Sequence, residues 1–365
     1  MNGFGRHFIL TTWGESHGDA IGGVIDGMPS GITLDMSVIA KDMARRAPGR
    51  RTDVSLRQEQ DEVVILSGVY QGKTTGAPLS FSINNQDARS KDYHALPMRP
   101  GHADLTYAQK YGHYDPRGGG RASARETAVR VAAASMAKQA MASLKIQVHT
   151  YLCQVGTISM PLITQWSSSL RPALSNDEFP CSDPVLAAKM QDYIRAKKKQ
   201  GDSCGGVVGF IMHGVPKGLG EPVYHKFEAL LANAMMSIPA SKGFDIGEGF
   251  EAASMCGSDH NDVPNAHGGF DSNHAGGLLG GITTGQTIYG RVAFKPTSSI
   301  AQPQQTIDQQ HQPVIMAIQG RHDPCVAIRA TVVVEAMCWL TLMDYLQPSW
   351  AHIQSQILDA RKAIN

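Results

Sequence analysis

A run of three glycines that leads into a long apolar segment constrains this chain more than any other feature. The stretch at residues 117–145 reads RGGGRASARETAVRVAAASMAKQAMASLK. Its apolar side chains recur at steps of three and four, which predicts a helix with one buried face. Residues 123–126 (SARE) match the S-x-x-E capping box, in which the serine hydroxyl and the glutamate carboxylate each accept from an unpaired backbone N–H. The stretch therefore predicts a glycine turn followed by the positive end of a helix.

Arg121 and Arg125 bracket the first turn of this predicted helix. Free N–H groups, the helix dipole and two guanidinium groups would together form an anion site. A well-capped structural helix with two solvated arginines fits the same residues. Both interpretations stay open on this stretch alone.

The net charge limits the kinds of ligand that such arginines could bind. The chain has 365 residues and a formal net charge of +1, with 42% apolar and 18% charged residues. A near-neutral globular chain lacks the basic surface of a nucleic-acid-binding protein, so any anion binding would come from local arginine clusters. No linker or low-complexity tract divides the sequence, and we expect one domain over residues 1–365.

Targeting signals are not recognisable in the sequence. The first residues lack the cationic and apolar regions of a signal peptide, and no run approaches the ~18 apolar residues of a membrane span. Six cysteines occur without a C-x-x-C pair, as in proteins that keep reduced thiols. We therefore expect a cytoplasmic protein that does not bind membranes.

Strand and helix patterns mix irregularly along the chain. Runs rich in β-branched and aromatic residues predict strands at residues 7–13, 20–25, 63–66, 79–83, 146–158, 205–212 and 287–294. Helical patterns occur at residues 34–47, 103–111, 183–200, 225–236 and 326–346. Hairpin-like spacing without regular β-α-β alternation favours an α+β or layered α/β fold with largely antiparallel sheets.

Candidate proton-transfer groups lie in predicted turns. Ser16 and His17 belong to the polar turn GESHG, where the histidine is either simply solvated or part of a functional turn. His102 follows a Pro-Gly turn just before a predicted helix, which disfavours its charged form and suits proton transfer. Asp323 precedes a proline at a helix start, so it is either an N-cap or a carboxylate base beside Arg321.

Cationic groups also cluster in predicted loops. The first cluster is either a solvated surface or a clamp for phosphate and carboxylate groups, and it contains Arg45, Arg46, Arg50 and Arg51. A lysine followed by hydroxyl side chains at a strand end is a plausible phosphate cradle, formed by Lys295, Pro296, Thr297, Ser298 and Ser299.

Several familiar kinds of site are missing from the sequence. The histidines of the glycine-rich segment do not have the spacing of a zinc site, and we predict that they bind no metal; they are His260, His267 and His274. There is no G-x-G-x-x-G dinucleotide motif and no serine-triad context. The residues alone therefore indicate an enzyme that acts on a phosphorylated, multiply charged small molecule.

Longer motifs extend this interpretation. GESHGDAIGGVIDGMP, RPGHADLTYAQKYGHYDPRGGGRASARETAVRVAA and GRHDPCVAIRATVVVEAM stand in order along the chain, supported by SGVYQGKTTGAPL, SNHAGGLLGGITTGQ and KPTSS. These segments closely resemble the signature regions of the chorismate synthase family. The resemblance covers nearly the whole chain and implies that family's β-α-β sandwich fold and a homotetramer.

The resemblance also implies an activity. The family converts 5-enolpyruvylshikimate 3-phosphate to chorismate and phosphate by a 1,4-anti elimination, the last step of the shikimate pathway. It requires reduced FMN although the reaction has no net redox change, and NADPH is a possible source of the reducing power. The sequence shows no reductase segment, so we expect FMN to be reduced elsewhere. The alternatives are a non-catalytic phosphometabolite- or flavin-binding module and a flavin-independent phosphate-ester lyase.

Site residues follow from the resemblance position by position. His17 would protonate the leaving phosphate, His102 would stabilise charge on the reduced flavin, and Asp323 would act as a base. Ser16 and Ser123 would position Asp323 or the flavin by hydrogen bonds. The family's flavin contacts fall on Arg121, Ala122, Ser123, Ala240, Gly280, Lys295, Pro296, Thr297, Ser298, Ser299 and Arg321. Its substrate contacts fall on Arg46 and Arg125, with Arg45 and Arg51 as neighbouring arginines.

Two positions depart from the family's pattern. Thr52 stands where many bacterial members carry an arginine, although Arg50 and Arg51 immediately precede it. Pro239 stands where an asparagine is common, so the flavin contact expected there is at most a backbone contact.

Overall fold

The structure is a computed structural model that describes residues 1–47, 61–85, 97–170, 174, 179–318 and 323–351. Its helices are α1 (Met36–Arg46), α2 (Asp104–Tyr111), α3 (Thr127–Ala140), α4 (Pro184–Lys199), α5 (Phe227–Met236), α6 (Gly257–His260) and α7 (Ala327–Leu346). Its strands are β1 (Gly3–Phe4), β2 (Ile9–Trp13), β3 (Ala20–Asp26), β4 (Val63–Ile65), β5 (Val69–Tyr70), β6 (Lys73–Thr74), β7 (Leu79–Asn84), β8 (Gln147–Val155), β9 (Ile158–Ser159), β10 (Gly206–His213), β11 (Ser241–Ile246), β12 (Leu278–Leu279), β13 (Ile282–Thr283), β14 (Ile288–Phe294), β15 (Gln304–Ile307) and β16 (Pro313–Met316).

Two five-stranded antiparallel sheets enclose a layer of helices. The first sheet has the order β1-β2-β3-β7-β4 and the second has the order β11-β14-β10-β8-β9. Helix α3 packs on β2 and β3 of the first sheet, and α7 packs on β8 and β10 of the second, while the two helices pack on each other. The predicted α+β class with largely antiparallel sheets is therefore confirmed, with the helices lying between the sheets.

Helix α7 is the centre of this arrangement because nearly all of its side chains are buried. A helix that is apolar around its whole circumference belongs in a core. Helix α3 packs against it, and the small side chains of Ala128, Ala132, Ala133 and Ala137 in α3 are fully buried. Small residues allow the axes of two helices to approach closely, so the two helices bring both sheets to one common core.

The amino-terminal segment is attached to the far end of α7. The Asp344 carboxylate accepts hydrogen bonds from the backbone N–H groups of Arg6, His7 and Phe8, at 2.7, 2.7 and 2.8 Å. Hydrogen bonds to a charged group contribute about 1.5–3 kcal/mol each. Because β2 begins directly after these residues, the bonds fix the first sheet relative to α7 and place the β2–β3 turn.

Two local predictions differ from the structure. The strand predicted at residues 146–158 ends earlier, because Gly156 (φ 55°) turns the chain from β8 back into β9. The capping box is only half formed, since the Ser123 hydroxyl accepts from the Arg125 N–H at 3.3 Å but Glu126 does not return the bond. The Ser123 N–H donates to the Gly120 carbonyl instead, and Glu126 accepts from the Thr12 hydroxyl at 3.0 Å.

No helix in the described part of the chain is long and apolar enough to cross a membrane. All six cysteines are free thiols, and all except Cys256 are buried. Among the described residues, no group of three or more His, Cys, Asp and Glu side chains is arranged to hold a metal ion.

Candidate active site

The glycine run forms a turn with left-handed backbone that lies against the β2–β3 turn. Gly118, Gly119 and Gly120 have φ values of 58°, 84° and 52°. A Cβ atom at position 118 would lie 2.1 Å from the imidazole of His17 and 3.0 Å from the Ser16 hydroxyl. Only glycine therefore allows the backbone to approach this histidine so closely.

Ser16 and His17 are buried beside this turn, with exposed fractions of 2% and 8%. The Ser123 hydroxyl donates to the Ser16 hydroxyl at 3.2 Å. The structure thus brings together three of the predicted site residues, and the interpretation of His17 as a solvated turn residue is wrong. The Asn85 amide holds the turn in place by donating to the carbonyls of Glu15 (3.0 Å) and Gly18 (2.8 Å).

Two predicted substrate-binding arginines share one buried carboxylate. Arg46 Nη2 donates to Asp61 Oδ2 at 2.5 Å, and Arg125 Nη1 donates to Asp61 Oδ1. The side chains of Arg46, Asp61 and Arg125 are only 4%, 1% and 2% exposed. Arg125 also donates through Nε to Asn85 Oδ1 at 2.9 Å, which connects this ion-pair group to the turn that carries His17. Arg125 is therefore not a solvated helix residue.

Charges in this group are strongly coupled. Burial would raise the pKa of the Asp61 carboxyl, but Arg46 and Arg125 outweigh burial and hold the pKa below its usual value. Burial lowers the pKa of Arg46; Asp61 acts against this, whereas Arg125 and the nearby Arg329 add to it. An excess of positive charge in a buried place favours the binding of an anion.

Asp323 lies in the same region but does not cap α7. The N-cap of that helix is Val326, which makes no side-chain capping bond, so the N-cap interpretation of Asp323 is wrong. Its buried carboxylate instead pairs through Oδ2 with Arg329 Nη2. Arg329 and Arg46 also line one cleft that is partly open to solvent, together with Ala124, Thr127, Ile238, Pro239, Val326, Ala330 and Val333.

His102 and the 295–299 segment form a second group. His102 Nδ1 lies 3.0 Å from the Pro100 carbonyl and Nε2 lies 2.9 Å from the Ser299 hydroxyl. Lys295 Nζ and the Ser298 hydroxyl both donate to the Gly101 carbonyl, at 2.6 and 3.1 Å. The hydrogen bonds therefore join the predicted phosphate cradle to the predicted histidine turn.

Burial lowers the pKa of His102, and the positive charge of Arg99 lowers it further. The predicted disfavouring of the charged imidazole is thus confirmed in direction, although its main cause is burial rather than the helix end. Because a carbonyl oxygen can only accept, Nδ1 carries the proton of the neutral ring and Nε2 accepts from Ser299.

Arg99 connects the two groups. It makes a two-point ion pair with Asp104, with distances of 2.8 Å from Nε to Oδ2 and 2.7 Å from Nη2 to Oδ1. A Cβ atom at Gly119 would lie 3.7 Å from Arg99 Nη2. The His102 loop therefore lies against the same glycine turn as His17.

Other predicted residues have different surroundings. Arg121 donates to the Gly14 and Thr12 carbonyls, at 3.2 and 3.1 Å, and so braces the first sheet. Ala122 follows it in the same 3₁₀ turn. Ala240 has a left-handed backbone (φ 70°), and its carbonyl accepts from the Lys295 N–H at 3.0 Å. Gly280 lies in the exposed β12–β13 turn, where a Cβ atom would meet no neighbour.

Arg45 and Arg46 face different parts of the protein. Arg45 pairs with Glu335 at 2.9 Å and with Asp42 at 3.6 Å, within the helix layer. The structure therefore does not bring Arg45 into the group around Asp61, and its substrate contact stays a prediction. Arg51 and Arg321 lie outside the described residues, as do Arg50 and Thr52.

Asp61, Asn85, Arg99 and Arg329 are site residues that the sequence did not indicate. Each of them pairs with a group that is either distant in the chain or part of a segment to which the sequence patterns gave another role. Asp61 and Asn85, for example, stand 64 and 40 residues from Arg125. For Asp61 and Asn85 the one available signal was their position beside predicted strands, where polar side chains often carry function.

Gly118→Ala should displace His17, because the added methyl group would occupy the place of the imidazole. Gly119→Ala is the matched control, since it also has a positive φ but its Cβ would meet only Arg99 and Ser123 at 3.7 and 4.0 Å. Both variants should lose about 1–2 kcal/mol from backbone strain. Crystal structures and melting temperatures would check this, and an unmoved His17 ring in Gly118→Ala would contradict it.

Asp61→Asn should lower the free energy of unfolding by about 3–5 kcal/mol at pH 7, because it leaves two buried guanidinium groups without their counter-charge. The folded-state pKa of Asp61 is lowered, so its stabilising contribution is complete above its unfolded-state pKa and is lost as the pH falls through the folded-state pKa. The difference in melting temperature between wild type and variant should therefore shrink below about pH 4.

Asp192→Asn provides the control for that experiment, because Asp192 is 72% exposed and pairs only across the surface of α4. Its melting temperature should follow the wild type at every pH. Equal stability of Asp61→Asn and wild type at pH 7 would refute the interpretation of Asp61 as the shared counter-ion.

Comparisons with known proteins show the family of this chain. The family model described as chorismate synthase matches residues 8–347. A chorismate synthase of Porphyromonas gingivalis is 51% identical over 350 residues, covering 94% of this chain and 95% of the relative. One from Nitrosospira multiformis is 48% identical, covering 94% and 86%. A crystal structure of chorismate synthase superimposes with a TM-score of 0.74 at 29% identity, covering 94% and 93% of the two chains. The chain belongs to the chorismate synthase family.

Proposed function

We propose that this enzyme eliminates phosphate from 5-enolpyruvylshikimate 3-phosphate to give chorismate, with reduced FMN as cofactor. One observation carries the proposal: the glycine turn at residues 118–120 lies against His17 on one side and against the His102 loop on the other. Proton donors, cationic groups and a hydroxyl-rich segment therefore meet at one place. A multiply charged substrate that loses phosphate needs all three.

Arg46 and Arg125 are the proposed substrate anchors. Both guanidinium groups pair with the one buried carboxylate of Asp61. Arg46 Nε is buried and has no hydrogen-bond partner among the described residues. A carboxylate or phosphate of the substrate would supply the missing acceptor.

His17 is the proposed proton donor to the leaving phosphate. Its ring is buried and lies directly against the glycine turn, which leaves it little room to move. Imidazole is the side chain best suited to donate a proton near neutral pH. A donor fixed in place loses little freedom in the transition state.

His102 is proposed to stabilise negative charge on the cofactor. Its lowered pKa keeps the ring neutral near pH 7. An anion bound nearby would favour the protonated ring and so raise the pKa. Lys295, whose pKa is lowered by burial and by Lys242, would gain from the same anion.

The 295–299 segment fits a phosphorylated cofactor. The Thr297 hydroxyl is buried and has no hydrogen-bond partner in the described part of the chain, so this segment keeps a polar group that a ligand would satisfy. Lys295 to Ser299, Arg121, Ala122, Ser123, Ala240, Gly280 and Arg321 are the residues proposed to hold FMN. When bound, reduced FMN would supply the transient electron that weakens the bond to the leaving phosphate.

The remaining proposals concern the base, the oligomeric state and the source of reduced flavin. We place Asp323 as the base and the hydrogen-bonded pair Ser16 and Ser123 as groups that orient it or the cofactor. The enzyme would work as a cytoplasmic homotetramer. It would receive FMN reduced by a separate system, for which NADPH is a possible source of electrons.

An anaerobic assay would test the activity. Chorismate absorbance and phosphate release should both appear with dithionite-reduced FMN and should both be absent without it. Phosphate release that is independent of reduced FMN would favour a flavin-independent lyase. Binding of substrate without turnover would favour a non-catalytic module. Turnover with NADPH and oxidised FMN, without reductase or light, would contradict the separate source of reduced flavin.

His17→Ala and Asp323→Ala should each lower turnover by about 10²-fold or more, because each removes a proposed proton-transfer group. Steady-state rates under the same anaerobic conditions would measure the loss, with circular dichroism to establish that the fold is intact. Wild-type rates in either variant would remove that residue from the mechanism.

A further inference from the structure

We infer that Arg329 is a positioning residue for Asp323, holding its carboxylate at the wall of the cleft that Arg46 lines. The inference deepens the proposed function and rests on the role of Asp323 as base. Arg329 acts through Asp323 and is not itself assigned to proton transfer.

The ion pair of Asp323 and Arg329 is well shielded from solvent. Their side chains are 5% and 21% exposed, and Arg329 Nη2 donates to Asp323 Oδ2. A charge-assisted hydrogen bond is stronger and more directional than a neutral one. Since α7 is not capped by Asp323, the helix end does not orient this carboxylate, whereas the guanidinium of Arg329 contacts it directly.

Arg329 stands on a rigid support. It lies in the first turn of α7, where Ile328, Ala330 and Thr331 around it are buried in the core. By contrast, Asp323 lies before the helix, outside regular secondary structure. The helix therefore supplies the fixed point, and the ion pair transmits that fixed position to the carboxylate.

The same arginine lines the cleft. Arg329 lines it together with Arg46, and both Nε atoms are buried without a hydrogen-bond partner among the described residues. A pair that served stability alone would gain nothing from leaving its Nε donor unsatisfied, because an unsatisfied buried N–H is costly. Arg329 therefore connects the proposed base to the place where the substrate's anionic groups are proposed to bind.

Arg130 and Glu126 form a matched control pair. Arg130 Nε lies 2.9 Å from Glu126 Oε2, with side chains that are 16% and 8% exposed. The burial of this pair is close to that of Arg329 and Asp323, but the residues that line the cleft do not include it. Loss of the control pair should affect stability without affecting turnover.

A kinetic double-mutant cycle tests the inference, using Arg329→Met, Asp323→Asn and the double variant with reduced FMN under anaerobic conditions. Arg329→Met should lower kcat by about 10- to 100-fold with little change in KM. The reason is that displacing a catalytic base by about 1 Å can lower the rate by as much as about 10²-fold. In the Asp323→Asn background the same change should have almost no further effect. The control variant Arg130→Met should keep kcat within about twofold of wild type.

Chemical rescue of kcat and melting temperatures together distinguish a positioning role of Arg329 from a purely structural role. Arg329→Lys should recover part of the lost kcat, and guanidinium ion at non-denaturing concentration should partly restore Arg329→Ala. In the cofactor-free protein, the melting-temperature changes of Arg329→Met and Asp323→Asn should be non-additive, since each change breaks the same pair.

Several results would overturn the inference. One is wild-type kcat in Arg329→Met, and another is a loss that adds fully to that of Asp323→Asn. A raised KM with unchanged kcat would instead make Arg329 a substrate contact. If Asp323→Asn itself turned over like wild type, the assignment of Asp323 as the base would be wrong, and with it the part of the proposed function on which this inference rests. An inactive Asp323→Asn with a fully active Arg329→Met would refute this inference alone.

Discussion

A single buried carboxylate organises the candidate site. Asp61 stands just before β4 and holds the guanidinium groups of Arg46, at the end of α1, and Arg125, at the entrance to α3. Arg125 in turn binds Asn85, whose amide fixes the turn that carries Ser16 and His17. Because two buried cations repel each other without a counter-ion, the geometry around His17 and the two arginines depends on this carboxylate.

The sequence predicted the residues of the site better than it predicted their hydrogen-bond and ion-pair partners. Ser16, His17 and Ser123 were singled out by turn and capping patterns, and the structure does bring them together. Glu126 shows the limit, because the local capping pattern was overridden by Thr12, 114 residues away, and by Arg130. Local patterns report on neighbours in the chain, whereas the partners of Asp61 and Asn85 depend on how the sheets and helices pack.

Arg45 and Arg46 show how one helix turn can serve two purposes. Successive residues on a helix point about 100° apart, so the two side chains leave α1 in different directions. Arg46 contributes to the site, while Arg45 joins Lys138 and Glu335 in the helix layer. Burial would raise the pKa of Glu335, but Arg45 and Lys138 outweigh it and keep the carboxyl ionised. This inner ion-pair group fixes α1, α3 and α7 relative to one another.

The attachment of the first residues to Asp344 has a consequence for synthesis. The bonded groups are separated by 336 to 338 residues, so the amino-terminal segment is made long before its anchor exists. Strands β2, β3 and β7 can pair early, but α7, on which their core closes, is among the last elements to leave the ribosome. The active site therefore cannot be completed until α7 has been made, and a translation product that stops before α7 would lack the core on which the site rests.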